Sequence, residues 1–269
     1  MLKALVISAL VALNFSAADR AFWNADYKGC RQILEEMLPE AETDADRAVI
    51  HWRISRACLM MEAYKDGIAH AEEAIRLNPA DADAYMWHCA NVGRECQLHN
   101  VAYQASKVPV MEKDLNTILN KLGKTRCSEA WQALSELYWE HPFKSSDAAI
   151  NYVRRAAVTI PRGELRLTTY HYLAKLLYKR NWSAEKKQRQ QEANREKFAN
   201  KKQKVTARYA CYDGAPEGEW PWESAGMSDR EEAVSVLNYA IGLYRRQANP
   251  VKFETIEYNE IQKTLSKWK

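Results

Sequence analysis

Small side chains recur in this sequence at the spacing that two packed helices demand. After Tyr64 come Gly67, Ala71 and Ala74, and Pro79 closes the segment. Those offsets put the small residues on one helical face, where a neighbouring helix can approach closely. Pro79 ends the helix and starts the next segment. The preceding stretch, Ala48 to Met61, is itself amphipathic. Together the two make a helix–turn–helix unit of about 34 residues. The second helix recurs as Ala149-Ile150, Val153, Ala156-Ala157 and Pro161, preceded by Trp131, Leu134, Leu137 and Tyr138 on a first helix. Asp26 to Gly29, Ile33-Leu34 and Met37-Leu38 form a half-unit at the start. Ala233, Leu237, Ala240-Ile241 and Leu243 keep the spacing near the end. Only 9 Gly and 8 Pro occur in 269 residues, which speaks against a turn-rich β sandwich or barrel. No Gly-rich phosphate loop is present. The expected fold class is all-α, a solenoid of antiparallel helix pairs.

This spacing resembles tetratricopeptide repeats (TPR), whose paired helices stack into a superhelix. A closer resemblance covers residues 48–178 and 229–268. Trp52-Arg53-Ile54-Ser55-Arg56-Ala57, and Ala84 to Trp87 followed by Gly93, are similar to signatures of the regulator of microtubule dynamics family. The interval from Pro79 to Pro161 exceeds two units, so an expansion is expected near residues 97–124, as that family has. Exported bacterial TPR proteins, including periplasmic partners of solute transporters, are an equally similar template.

Lys3, an apolar stretch from Ala4 to Phe15 and then Ser16-Ala17-Ala18 read as a signal peptide over 1–18, cut after Ala18. That stretch is shorter than the ~20 residues a transmembrane helix needs, and no other segment qualifies. The expected location is the periplasm or the extracellular space. Six cysteines fit an oxidising compartment, but their scatter reads as buried residues, with one or two disulfides open.

Repeats are expected over 19–180, an insertion over 181–228 and a completing helical pair over 229–269. Ser183 reads as the N-cap of a charged run to about Arg208 with few apolar residues. The run holds nine Lys/Arg and three acids, while the whole chain nets +4. The remainder is mildly acidic, so general nucleic-acid binding is not expected. The run reads as a solvated helix or as an arm for an acidic partner. A loop with Trp220 and Trp222 follows, two indoles that either fold back on the array or bind a ligand. Ser228-Asp-Arg-Glu231 is a capping box that opens the delayed second helix, and Pro250 opens a closing helix.

No nucleophile elbow, metalloprotease helix or paired Cys-x-x-Cys occurs. His88, Cys89, Cys96 and His99 are the best metal-like set, but one helix holds the two histidines roughly 16 Å apart. No metal site, cofactor or catalytic residue is therefore expected, and the chain reads as a non-enzyme. First helices line the concave face of such a stack. Val49, Trp52 and Arg56, then Asp83 and Met86, then Trp131, Leu134 and Tyr138 are expected there. The binding candidates are Trp52, Arg56, Met86, Trp131 and Tyr138, with Trp220 and Trp222 in the loop. The expected function is an exported scaffold holding a protein or peptide. The alternative is a cell-envelope protein that binds a small ligand or glycan through exposed tryptophans.

Overall fold

The computed structural model describes residues 13–141, 144–200, 202–214 and 220–268. Thirteen α-helices and no strand occur among the described residues. They are α1 (Ser16–Trp23), α2 (Tyr27–Met37), α3 (Asp44–Met60), α4 (Tyr64–Leu77), α5 (Ala82–Cys96) and α6 (Val101–Asn116). After a π-helical turn (Thr117–Lys121) come α7 (Ser128–Glu140), α8 (Ser146–Thr159) and α9 (Leu167–Arg180). The chain ends with α10 (Ala184–Phe198), α11 (Val205–Tyr209), α12 (Asp229–Arg245) and α13 (Lys252–Trp268).

Local chemistry starts most of these helices. The side chains of Asp26, Thr43, Asp81, Asn100, Ser145 and Ser183 each accept a first-turn backbone N–H. Ser228 and Glu231 form the reciprocal capping box. Helix α9 ends at Asn181 in the left-handed conformation, φ 54°, which Asn tolerates well. The chain there leaves the stack. Pro250 lies two residues ahead of α13 rather than at its first position.

The helices pair as α1/α2, α3/α4, α5/α6, α7/α8 and α9/α12, with α13 packed on α9 and α12. The spaced small residues sit where the pairs meet. Ala71, Ala74, Ala149, Ala156, Ala233 and Ala240 are fully buried. At Gly67 the approach is closest, since an added Cβ would stand 2.2 Å from Oδ1 of Asn91 on α5. Asn91 is itself held there, its Nδ2 donating to Ser55 and to the Trp87 carbonyl. Helix α3 packs on α5 and α5 on α7, while each second helix also meets the first helix of the next pair. The stack therefore curves toward its first helices.

Helix α9 finds its mate, α12, only after α10, α11 and the tryptophan loop have intervened. The basic helix α10 is not free in solvent. Its inner face buries Lys187, Asn194 and Phe198. Lys187 Nζ donates to Glu232 at 2.9 Å and Asn194 to Asp147 at 3.0 Å. Beneath them, Arg180 grips both oxygens of Asp229 at 2.8 Å and reaches Asp147 at 2.9 Å. Of its three buried side chains only Phe198 is apolar. The helix docks through charge, with its carboxylate partners supplied by α8 and α12. Its outer face keeps Lys186, Arg189 and Lys197 exposed.

Residues 1–12 of the expected leader lie outside the described residues. Ser16, Ala17 and Ala18 form the first turn of α1, and Ala18 is buried. All six cysteines are free. Among the described residues no helix is long and apolar enough to cross a membrane.

Candidate functional site: the concave face

The first helices present a row of polar and aromatic side chains along the inner curve. Helix α1 contributes Asp19, which pairs with Arg53 and, at 3.0 Å, with Arg56 of α3. The Arg56 guanidinium lies 3.9 Å over the Phe22 ring. Burial lowers the Arg56 pKa, and the Asp19 carboxylate opposes that. Helix α5 contributes Asp83 and Trp87; α7 contributes Glu129, Gln132 and Glu136. Arg166, just before α9, pairs with Glu129 across the seam, and Thr169 donates to Gln132 at 2.7 Å.

Two carboxyls on this face, Asp83 and Glu136, hold protons unusually well, whereas against its burial Glu129 is held below the usual range by Arg166. Asp83 is reached by solvent, yet protein encloses it in the concavity. Burial, Asp81 and Glu129 push it up to about 6, against Arg53 and Arg56. Burial also raises Glu136, against the Gln132 amide and Arg94. At the far end, Glu254 of α13 accepts the Leu167 N–H at 3.1 Å and so caps α9. Burial and Glu257 push Glu254 up to about 7. His171 is buried between α9 and α13, with Nδ1 against Glu257 and Nε2 2.9 Å from Thr264 Oγ1. That set holds the closing helix in place. The Trp23 and Phe253 rings meet at 6.3 Å, so the first and last helices of the stack touch and bound the groove.

A pH-dependent result follows for Glu254. Its folded pKa lies above the ordinary 4.5, so the native state binds the extra proton between those values. Stability from this group is therefore present at low pH and lost as pH rises toward and past 7. Glu254→Gln keeps an acceptor for Leu167 without that penalty. It should stabilise the protein by about 1–2 kcal/mol at pH 8 and by about a quarter of that at pH 5. Urea unfolding at the two pH values checks this; a gain at pH 5 equal to that at pH 8 rejects it.

The structure rearranges the residues expected on this face. Arg56 is there, engaged by Asp19. Trp52 is buried against Ala74 and Ala84, and Met86 is buried in the main core. Trp131 is fully buried, stacked 5.7 Å from Tyr152, and its Nε1 donates to the Thr125 carbonyl at 3.0 Å. Tyr138 packs edge-on to Tyr152 at 5.0 Å, toward α8. The groove stripe on α7 is Glu129, Gln132 and Glu136. Those positions lie two residues back from Trp131, Leu134 and Tyr138, about 200° around the helix. The apolar stripe was the core stripe. The groove stripe was readable as its polar complement at the same spacing.

Trp220 and Trp222 are likewise corrected as exposed binding groups. Both are buried, stacked on one another at 5.9 Å. Arg154 lies 4.5 Å over Trp220, and Trp222 Nε1 donates to Glu232 at 3.1 Å. An indole N–H needs a partner once buried, and Glu232 supplies it. Among the described residues no three His, Cys, Asp or Glu side chains converge to hold a metal ion.

No family model and no curated protein matches the chain. Among solved structures, a thermophilic TPR protein of Thermus thermophilus matches with a TM-score of 0.53 at 14% identity. The match covers 72% of this chain and 93% of that one. Helix pairs joined across small residues, a stack curved toward its first helices and this likeness agree: the chain is a TPR-like α-solenoid.

Proposed function

We propose that this protein is an exported, non-enzymatic scaffold that holds a protein or peptide segment along its concave face. The observation that carries this is the groove itself. Helices α3, α5 and α7 each turn a polar or aromatic stripe toward it, and Asp83, Trp87, Gln132 and Glu136 keep part of their surface open. An extended segment laid across such parallel helices meets a new side chain at each one. Aromatic Trp87 supplies contact area at small entropic cost, and the polar groups set register.

Site-specific photo-cross-linking tests the reading. A benzophenone side chain at Trp87 or Gln132 should trap one partner, and the same group at Arg189 on the outer face of α10 should not. Trapping at Arg189 alone would reject the groove. Export is tested separately by intact mass of the secreted chain, expected to begin at Asp19. Because proteases cut exposed, unpaired backbone, the cut after buried Ala18 must precede folding of α1.

A further inference from the structure

A cleft of about 410 Å³ opens on the other face of the stack, where α4, α5 and the end of α6 meet. Ile75, Tyr85, Val110 and Leu122 make its apolar and aromatic walls. His88, Lys113, Asp114 and Lys121 make its charged lining. Asp114 is buried and its Oδ2 lies 2.7 Å from Nδ1 of His88. A carboxylate on Nδ1 orients the ring and turns its Nε2 edge outward. The exposed Glu72 carboxylate stands 3.8 Å from that edge. Lys113 and Lys121 are both exposed, and among the described residues neither has an ion-pair partner.

The end of α6 is shaped for this edge. Leu122 N–H bonds the Thr117 carbonyl at 2.9 Å, closing a π-turn, and Thr117 Oγ1 donates to the Lys113 carbonyl at 2.8 Å. Such turns are rare and recur at functional sites. The inserted segment braces this one from behind, Thr206 bonding Asn116 and Asn120. Lys113, Thr117 and Lys121 thus share one rim of the cleft, with His88 facing them.

We propose that this cleft binds a phosphate monoester. Two ammonium groups donate to two peripheral oxygens of the phosphate, and His88 Nε2, left as an acceptor when Nδ1–H donates to Asp114, takes the P–OH of the monoanion. The Tyr85, Ile75, Val110 and Leu122 walls take the carbon skeleton that the ester carries. This assignment does not depend on the concave face.

Calorimetric titration of the full chain with phenyl phosphate tests it. The double variant K113Q/K121Q, altered only at exposed positions, should bind at least about tenfold more weakly with unchanged circular dichroism. E72Q removes the opposing carboxylate and should bind at least about twofold more tightly, a gain that no structural role predicts. Absence of binding to the wild-type chain up to about 10 mM overturns the site, as does wild-type affinity in K113Q/K121Q or no gain in E72Q. Equal affinity for inorganic phosphate overturns the ester assignment.

Discussion

Replacing Glu232 with Ala should lower the melting temperature by roughly 10 °C, corresponding to about 3–5 kcal/mol. Glu232 is fully buried, and three donors end on its carboxylate. Arg154 reaches it at 2.6 Å, Lys187 at 2.9 Å and Trp222 Nε1 at 3.1 Å. Removing the acceptor leaves two buried cations without an opposing charge. That is far costlier than losing an exposed ion pair. Burial opposes ionisation of Glu232, but Arg154 and Lys187 outweigh it and hold the carboxyl below its usual range. Its contribution is thus present at neutral pH and is lost as pH falls through the lowered value. Replacing Arg154, Lys187 and Glu232 together with Met, Met and Gln should recover most of the loss, since the buried charges go as a set and the Gln carbonyl still accepts from Trp222 Nε1. Thermal melts followed by circular dichroism check both variants. An E232A melt within about 2 °C of the parent would show that the network carries no stability. Limited proteolysis adds a local reading: in E232A the segment 183–228 should be cut first, because Lys187 and Trp222 are what tie it to α12.

Trp131→Ala should cost about 3–5 kcal/mol, the range for a large side chain removed from a filled core. The indole is fully buried and touches two segments besides its own helix. It stacks on Tyr152 of α8 and lies 5.0 Å from Tyr209 of α11. Its loss opens a cavity between the fourth helix pair and the insertion, and Tyr152 and Tyr209 cannot collapse into it together. Trp131→Phe keeps a ring and should cost only about 1–2 kcal/mol. The Thr125 carbonyl would still accept from Arg155 at 3.2 Å, so no acceptor is orphaned. Urea unfolding gives the two numbers, and hydrogen exchange should show α11 loosening in the Ala variant first. A Trp131→Ala cost no larger than that of Trp131→Phe would show that the indole fills little.

The helical repeats were legible because their cause is local. A helix turns 100° per residue, so Gly67, Ala71 and Ala74 must share a face whatever surrounds them, and that face admits another helix. The delayed mate of α9 was legible for the same kind of reason. Ser228 and Glu231 start a helix through their own side chains, and the preceding loop breaks one. The groove was half legible. Arg56 sits in it, but large aromatics were weighted as binding groups, and this fold uses Trp52, Trp131, Trp220 and Trp222 as filling.

Periodicity, caps and breakers in the sequence by themselves determined that this chain makes amphipathic helices, pairs them through small side chains and interrupts the last pair. Each of those follows from backbone geometry within a few residues. The tertiary structure alone decided which charges go inside. Lys187 and Asn194 are ordinary polar positions on a basic helix until Glu232, 45 residues on, and Asp147, 47 residues back, arrive beside them. A buried charge is tolerated only when its counter-charge is present, and that counter-charge comes from a distant segment, where no local pattern can record it.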